Sequence, residues 1–135
     1  MVGKFVMARD IKPEVLNWGR LGWLSNPPKT GAEQLTVIDI TFAPGRGHNF
    51  HKHPDQEQVV FVVSGTIEQW IRQERRMLAH GDSCFIPANM VHASFNVGGT
   101  DAKLVIVLGP CVGSIGYELI DVSDEAPWKD LRKHH

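Results

Sequence analysis

Two histidines, His51 and His53, stand two residues apart at the start of the segment HKHPDQEQVVFVVSG. Residues i and i+2 of a β-strand face the same side, so both imidazoles would point one way and Lys52 the other. Imidazole nitrogen binds several divalent transition metal ions. The pair alone also fits two surface histidines in a loop. A third histidine, His92, opens a second strand-like segment, HASFN, and the three together predict a metal site.

The residues around the first two histidines follow a motif of a known family. Five residues separate Gly45 from His51, His53 comes two residues later, and Gly65 ends the following apolar run. This stretch resembles the first motif of the cupin superfamily, Gly-x5-His-x-His-x3,4-Glu-x6-Gly. The position of the motif's glutamate is the one point at which the match is open.

The residues around the third histidine fit that family's second motif, Gly-x5-Pro-x-Gly-x2-His-x3-Asn. The matching residues are Gly81, Pro87, Asn89, His92 and Asn96. Asn89 stands where the motif has glycine, and asparagine is the residue other than glycine that best tolerates a positive φ angle. The turn is therefore expected to survive this change. With both motifs in register over residues 45–96, the chain resembles the small single-domain cupins.

The resemblance implies an all-β fold, a double-stranded β-helix (jelly-roll) barrel whose interior holds a metal ion. It also implies metal ligands at His51, His53 and His92, with a fourth ligand from the strand that follows the first pair. Zinc, manganese, iron, nickel and copper all suit ligands of this kind. One or two open coordination positions would bind water or a small oxygen-rich molecule.

The fourth ligand is either Gln58 or Glu57. Counting from His53, the x3 spacing reaches Glu57 and the x4 spacing reaches Gln58. The x6 interval before Gly65 favours Gln58. If Gln58 faces the interior, Val60 faces inward with it. A register shifted by one residue would bring Glu57 inward instead, and because both sets of strand residues are apolar, alternation does not exclude that register.

The identity of this ligand bears on the chemistry. With Gln58, all four ligands are neutral and the metal ion keeps its full charge, which favours Lewis-acid chemistry. Glu57 would cancel one charge and favour a higher oxidation state and oxygen activation. The first register therefore leans toward Lewis-acid work or simple ligand binding.

Three functions follow from such a site. The first is an isomerase or tautomerase acting on a small sugar acid or keto/enol compound, similar to cupins that convert unsaturated uronates. The second is an iron- or copper-dependent dioxygenase of the quercetinase kind, favoured by Glu57 as ligand and by an aromatic pocket. The third is a non-catalytic module that senses or stores a small ligand. A jelly-roll fold hosts many activities and decides among none of these.

Short apolar runs separated by turn residues occupy the middle of the chain. Examples are LTVIDITF before Pro-Gly, VVFVV before Ser-Gly, and KLVIVL before Gly-Pro. About eight or nine strands with turn signals every 8–12 residues predict a barrel over residues 35–122. The last of these strands is predicted over residues 115–122.

The N-terminal segment, residues 1–34, shows only weak periodicity. It is predicted to be an arm that packs on the barrel or on a second subunit. Trp18 and Trp23 would anchor it, since large aromatic side chains concentrate in interfaces. We therefore expect a homodimer.

The C-terminal tail, residues 123–135, contains acidic residues after Ser123 and basic residues at its end. This order predicts one short helix capped by Ser123. The last two residues, His134 and His135, could be native or the remnant of a purification tag. They are left out of the predicted metal site.

Other polar side chains lie near the predicted site. His48 precedes His51 by three residues and could line the mouth of the site or lie exposed in a loop. Ser94 and Asn96 share strand parity with His92 and could face the cavity, although the asparagine of this motif is more often structural. No catalytic acid, base or nucleophile is assigned, since no motif for one is present.

The composition is that of a globular protein. The 135 residues are 42% hydrophobic and 21% charged, with a net charge of −1, which suits one domain with small-molecule ligands and no nucleic acid. No apolar run approaches the ~18 residues that span a bilayer. The N-terminal sequence MVGKFVMARD lacks the features of a signal peptide. Cys84 and Cys111 form no spaced framework, so we expect a cytoplasmic protein with two reduced thiols.

Overall fold

The computed structural model describes residues 3–132, and most of its regular structure is β-strand. Eleven strands lie in these residues. In chain order they are β1 (Glu14–Leu16), β2 (Gly19–Ser25), β3 (Thr36–Phe42), β4 (Gly47–Lys52), β5 (Glu57–Ser64), β6 (Thr66–Ile71), β7 (Glu74–Ala79), β8 (Ser83–Ile86), β9 (His92–Phe95), β10 (Ala102–Gly109) and β11 (Ile120–Asp121). One short helix, α1 (Pro27–Thr30), and two 3-10 turns, Ala8–Asp10 and Trp128–Asp130, complete the elements.

The strands form two sheets, and every strand pair in them is antiparallel. One sheet has the order β1-β2-β3-β10-β5-β8, and the other has the order β11-β4-β9-β6-β7. Strands far apart in the sequence, such as β3 and β10, are neighbours, so the connections repeatedly cross between the sheets. This two-sheet arrangement confirms the predicted all-β jelly-roll barrel.

The main core lies between the two sheets. In β3, Ile38 and Ile40 are buried, and Asp39 between them faces the other side, as the period of a strand requires. In β10, Leu104 and Leu108 are buried in the same way. Full burial of one such side chain contributes roughly 1.5–3 kcal/mol, so this alternation holds the six-stranded sheet against its partner.

A second apolar cluster lies on the outer face of the five-stranded sheet. Phe50, Trp70 and Phe95 are buried there beneath the C-terminal tail. The Trp128 ring of the tail stacks on Phe50 with ring centroids 5.7 Å apart. The Arg132 guanidinium lies 3.6 Å above the centre of the Phe95 ring. The tail therefore covers this face of the barrel.

Part of the predicted N-terminal arm continues the six-stranded sheet. β2 pairs with β3, and β1 pairs with β2 at the edge. Trp18 packs edge-on against Phe42, with ring centroids 5.6 Å apart. The Trp23 ring lies 5.8 Å from that of Tyr117. Both tryptophans, expected at an interface, thus contact the barrel of their own chain.

Two turns show why particular residues stand at their motif positions. Asn89 has a φ angle of +65°, so the asparagine adopts the conformation for which the motif uses glycine. Its backbone N–H donates to the carbonyl oxygen of His53 at 2.9 Å, which ties this turn to the predicted site. At Gly65 a Cβ atom would lie 2.7 Å from the carbonyl oxygen of Asp101, so the turn before β6 requires glycine.

The prediction of a strand over residues 115–122 is wrong for most of that range. Only Ile120–Asp121, which form β11, are in a strand. Gly113 and Gly116 have positive φ angles and turn the chain. The carbonyl oxygen of Gly116 accepts hydrogen bonds from the Thr36 hydroxyl (2.8 Å) and from the Gln56 amide (2.9 Å). These contacts with residues distant in the sequence hold the segment as a loop, which local alternation does not reveal.

The predicted C-terminal helix is a single 3-10 turn, Trp128–Asp130. Ser123 does not cap it, because the Ser123 N–H and hydroxyl both donate to Oδ1 of Asp121, at 2.7 and 2.6 Å. His134 and His135 lie outside the described residues. No helix in the described part of the chain has the length and apolar character needed to cross a membrane.

The two cysteines, Cys84 and Cys111, are half-buried free thiols, as predicted. Burial raises the pKa of the Cys84 thiol to about 11. The sulfur of Cys111 lies 3.3 Å from the hydroxyl oxygen of Thr36. Both side chains therefore belong to the packing of the barrel.

Candidate metal centre

The three histidines of the predicted site converge inside the barrel. His51 and His92 lie opposite each other on β4 and β9, with ring centroids 4.3 Å apart. His53 lies one residue beyond the end of β4, not on the strand as predicted, and its ring is 5.1 and 5.2 Å from the other two. All three side chains are buried, and one nitrogen of each lies within 4.8 Å of the others.

Backbone carbonyls fix the orientation of each imidazole. The Nδ1 atoms of His51, His53 and His92 each lie at hydrogen-bond distance from a carbonyl oxygen. These oxygens belong to Asn49 (2.6 Å), Glu118 (2.9 Å) and Met90 (2.9 Å), respectively. A carbonyl oxygen only accepts, so each Nδ1 carries the proton and donates it. Each Nε2 is left with a free lone pair, as in metal-binding histidines.

The register of β5 turns Gln58 toward the cavity and Glu57 away from it. Gln58 lies opposite the core residue Leu108 and is 4% exposed, whereas Glu57 is exposed. Oε1 of Gln58 and Nε2 of His92 are buried and lack a hydrogen-bond partner among the described residues. Gln58 thus lines the same cavity as the three imidazoles, whereas Glu57 is not among its described lining residues.

Burial keeps the three imidazoles neutral. Desolvation lowers the pKa of His92 to about 2 and that of His53 to about 4, and the neighbouring His51 adds to both shifts. Burial also lowers the pKa of His51, against the opposing effects of its hydrogen bond to Asn49 and of the Asp121 charge. The neutral form of imidazole is the one that binds metal ions.

This set of atoms suits a metal cation. The three Nε2 lone pairs and the amide oxygen are all acceptors, so they cannot hydrogen-bond to one another. Buried acceptors without partners are costly, and a cation among them would satisfy all four. Imidazole nitrogen together with one oxygen is a ligand set used by several transition metals. The cluster thus suggests a metal ion without selecting which one.

The four side chains line a cavity of about 620 Å³ between the sheets. One wall is apolar and comes mainly from the six-stranded sheet. Its residues are Leu21, Ile38, Ile40, Ile106 and Leu108. Asp121, which is exposed, is the one carboxylate among the described lining residues, and no lysine or arginine lines the cavity within residues 3–132. The space suits an apolar ligand whose polar atoms face the histidines.

Gln56, a buried amide that no motif marks, supports His53. Gln56 is 2% exposed, and its Nε2 donates to the carbonyl oxygens of Pro110 (2.7 Å) and Gly116 (2.9 Å). Its Oε1 accepts from the backbone N–H of Glu118 at 3.4 Å. These bonds hold the loop whose Glu118 carbonyl orients His53. The available sequence signal was strand alternation, because Gln56 lies two residues before Gln58 and should face the same side.

Tyr117, on the same loop, lines the cavity and was likewise not revealed by sequence patterns. Its ring centroid lies 6.0 Å from that of His53. Burial raises the pKa of its phenol, and the charge of Glu14 adds to the shift. The hydroxyl therefore stays protonated near neutral pH.

The structure assigns one role to each of three polar side chains for which the sequence allowed two. His48 is half-buried and lines the cavity; it does not lie in an exposed loop. Ser94 also lines the cavity and donates its hydroxyl to Oε1 of Gln69 at 2.6 Å. Asn96 is structural, because its amide donates to the carbonyl oxygen of Phe42 at 3.0 Å.

Comparison with known proteins agrees with this architecture. A family model described as "Cupin domain" matches residues 38–108, more than half of the chain. The chain is 29% identical to the polyketide synthase CurC of Streptomyces cyaneus over 127 residues, which cover 90% of this chain and 82% of that protein. It is also 29% identical to protein SchB of Streptomyces halstedii over 107 residues, which cover 79% of this chain and 78% of that protein.

Solved structures show the same fold. KdgF from a Halomonas species superposes with a TM-score of 0.72 at 20% identity, covering 81% of this chain and 94% of KdgF. The polyketide cyclase RemF from Streptomyces resistomycificus superposes with a TM-score of 0.69 at 19% identity, covering 95% of this chain and 92% of RemF. At sequence identities of 19–20%, these superpositions show a shared fold and do not show a shared activity.

Proposed function

This chain belongs to the cupin family, and from that premise we propose that it is a metal-dependent enzyme acting on a small keto/enol compound. His51, His53, Gln58 and His92 would hold a divalent transition metal ion. The observation that carries the proposal is the convergence of the three histidine nitrogens, within 4.8 Å of one another, in a cavity that Gln58 also lines. Oε1 of Gln58 and Nε2 of His92 have no hydrogen-bond partner within the described chain.

The neutral ligand set favours Lewis-acid chemistry. When bound, the ion would polarise a carbonyl or hydroxyl oxygen of the ligand. Its charge would remain uncompensated by the side chains that hold it, because Gln58 replaces a carboxylate and Glu57 is exposed. The apolar wall of the cavity would exclude water and strengthen this polarisation.

The cavity favours a keto/enol ligand over a sugar acid. Its walls are largely apolar, and among the described residues no cationic side chain is present to pair with a carboxylate. The names of two similar proteins agree with this choice, since CurC is a polyketide synthase and RemF a polyketide cyclase. Polyketide chains carry ketone groups that can enolise.

The reaction that fits is an isomerisation or tautomerisation. Asp121 would accept a proton from the carbon next to a carbonyl group. Hydrogen bonds from the side chain and backbone of Ser123 lower the pKa of Asp121, so this carboxylate is ionised at neutral pH. The C–H bond breaks as the Asp121 carboxylate takes the proton, the C–H electron pair forms a C=C bond, and the C=O π pair moves onto the oxygen. Asp121 then gives the proton to that oxygen, which leaves the carboxylate as it began. Neither oxidant nor reductant is needed.

A dioxygenase of the quercetinase kind is the second candidate. Trp18 and Tyr117 give the cavity the aromatic lining that would suit a flavonoid-like substrate. The outward position of Glu57 counts against it, since the amide of Gln58 takes the place of the carboxylate that would favour oxygen activation.

Elemental analysis of tag-free protein, purified without chelator, tests the metal site. We expect stoichiometric metal in the wild type and in Glu57→Ala, and reduced metal in Gln58→Ala. Loss confined to Glu57→Ala would show that the fourth ligand is the carboxylate and would place the dioxygenase first. A wild type that binds no metal after supplementation would leave a ligand-binding module.

Proton exchange tests the chemistry. NMR in D₂O follows hydrogen–deuterium exchange at the carbon beside the carbonyl of 1-tetralone. The metal-loaded protein should accelerate it, and Asp121→Asn should lose about 10²-fold of the acceleration. Asp124→Asn, at an exposed position in the tail, is the matched control. Binding of tetralone without exchange would contradict the enzymatic proposal.

A further inference from the structure

His48 faces the cavity because β4 contains an irregularity. Residues three apart in a regular strand face opposite sides. On β9, however, the partners of His48 and His51 are Ser94 and His92, which are only two apart. The extra residue in β4 is a β-bulge, a feature that re-aims side chains. Both histidines therefore line the cavity, and Phe50 between them faces the C-terminal tail.

Aromatic packing fixes the His48 ring in the cavity wall. Its centroid lies 4.5 Å from Trp18 and 4.9 Å from Phe42, and both contacts are nearly perpendicular. Edge-to-face contacts of this kind are favourable for aromatic rings. The ring centroid is 6.1 Å from that of His51. His48 is therefore held beside the metal centre by packing alone.

Neither ring nitrogen of His48 has a hydrogen-bond partner among residues 3–132. Each imidazole of the candidate metal centre, by contrast, donates Nδ1–H to a carbonyl oxygen. Ser94, the strand neighbour of His48, donates its hydroxyl to Gln69. The ring nitrogens of His48 are thus available to hydrogen-bond to a ligand in the cavity.

The His48 imidazole lines the cavity and can donate a hydrogen bond there. A neutral imidazole has one N–H donor and one lone pair. Its N–H can therefore donate to a ligand oxygen without requiring that oxygen to be anionic.

We propose that His48 is a ligand-binding residue that donates its ring N–H to a second oxygen of the ligand whose first oxygen lies at the metal centre. On the six-stranded sheet Ile38, Ile40 and Leu108 line the cavity with apolar side chains, and the Gln58 amide on that sheet is assigned to the proposed metal site. Further ligand oxygens are therefore expected on the histidine side. This inference rests on the proposed function and narrows its ligand class. The ligand is an apolar ring compound that carries two oxygen atoms along one edge.

Two probes that differ by one oxygen test this assignment. Calorimetry under anaerobic conditions measures binding of 1,8-dihydroxynaphthalene and of 1-naphthol to the metal-loaded full-length protein. His48→Phe keeps a ring against Trp18 and Phe42 and removes both nitrogens. His48→Asn restores an N–H donor. His80→Phe is the control, because it makes the same histidine-to-phenylalanine substitution at an exposed position outside the cavity.

The wild type should bind the two-oxygen probe about tenfold more tightly than 1-naphthol, as expected for one added hydrogen bond. His48→Phe should lose about tenfold in affinity for the two-oxygen probe and keep its affinity for 1-naphthol within about twofold. His48→Asn should recover part of the preference. His80→Phe should match the wild type, and all variants should keep their metal.

Three results would overturn the assignment. Equal losses for both probes would mean that the His48 ring only shapes the cavity. An undiminished preference in His48→Phe would mean that both oxygens bind the metal ion. Loss of metal from His48→Phe would make this residue a metal ligand. If neither probe binds the metal-loaded wild type, the proposed function itself fails, and this inference fails with it.

Discussion

At the scale of single residues, the candidate metal centre depends on backbone carbonyls as much as on its own side chains. Each imidazole is oriented by one carbonyl oxygen, which decides that Nε2 faces the cavity. For His53 that oxygen belongs to Glu118, in a loop that Gln56 holds in place. A side chain outside the ligand set thereby controls the position of one member of it.

Gln56→Ala should therefore affect both stability and metal binding. We expect the free energy of unfolding to fall by roughly 2–4 kcal/mol, since several buried backbone groups lose their partner. Metal affinity should weaken about 10–100-fold because His53 loses its orientation. Chemical denaturation and metal titration measure the two effects. Asp55→Ala, at the exposed neighbouring position, is the control. Unchanged metal affinity in Gln56→Ala would contradict the indirect role.

At the scale of elements, a buried carboxylate ties the C-terminal tail to the five-stranded sheet. Glu68 on β6 accepts hydrogen bonds from Nε1 of Trp70 and Nε of Arg132, both at 2.7 Å, and Arg75 lies 3.9 Å away. Burial by itself raises the pKa of Glu68, but these hydrogen bonds and positive charges outweigh it and hold the pKa below its ordinary value.

Glu68→Gln should lower the free energy of unfolding at neutral pH by roughly 1–3 kcal/mol. Because the folded-state pKa is below the unfolded-state value of about 4.3, the contribution is fully present above that value. It is lost as the pH falls through the folded-state pKa. Denaturant unfolding at a series of pH values should show the gap between wild type and variant closing in acid.

The control for this prediction is Glu74→Gln on the neighbouring strand. Glu74 pairs with Arg76 at 3.0 Å, but both side chains are exposed. Exposed ion pairs contribute about 0–1 kcal/mol, so this variant should stay close to the wild type at every pH. A gap between Glu68→Gln and the wild type that persists unchanged in acid would show that lost packing, not lost charge, is responsible.

The loop that follows β10 gives a second test at this scale. Gly116 has a φ angle of +102°, and a Cβ atom there would collide with the Thr36 hydroxyl. Gly113 also has a positive φ angle, but its nearest neighbour is the movable Glu118 carboxylate at 3.3 Å. Gly116→Ala should therefore displace the loop and weaken metal binding, whereas Gly113→Ala should cost only about 1 kcal/mol of stability. Equal metal affinity in the two variants would contradict this account.

At the scale of the whole molecule, the two sheets differ in how their outer faces are covered. The C-terminal tail covers the five-stranded sheet. The outer face of the six-stranded sheet exposes Val59, Phe61 and Phe85 on neighbouring strands β5 and β8. Asp39 and Lys103, 3.6 Å apart, place opposite charges on the same sheet. Such a face, apolar with paired charges, can complement a second copy of itself.

The expected homodimer therefore stays a prediction, with this face as its interface. Sedimentation equilibrium should find a dimer for the wild type and a monomer for the double variant Phe61→Ser, Phe85→Ser. Met77→Ser changes an equally exposed apolar residue on the other sheet and should leave the dimer intact. A monomeric wild type, or a dimer that survives the double variant, would exclude this interface.

The sequence by itself determined the strand-rich barrel and the three histidines of the candidate site. Strand alternation and turn residues act locally, so runs such as LTVIDITF predict β3 directly. The resemblance to the two cupin motifs singled out His51, His53 and His92 and allowed for Asn89 in the turn before β9. The strands follow from neighbours in the chain, whereas the three histidines were identified through that resemblance.

Only the tertiary structure decided which further groups reach the cavity. Gln58 faces inward because of the register in which β5 pairs with β10, a strand far along the chain. The apolar pattern of β5 is equally compatible with the register that would turn Glu57 inward. His48 reaches the cavity through a bulge that appears only in the pairing of β4 with β9. The loop with Tyr117 is held by Gln56 and Thr36. Each of these depends on contacts between distant segments, which a local pattern does not encode.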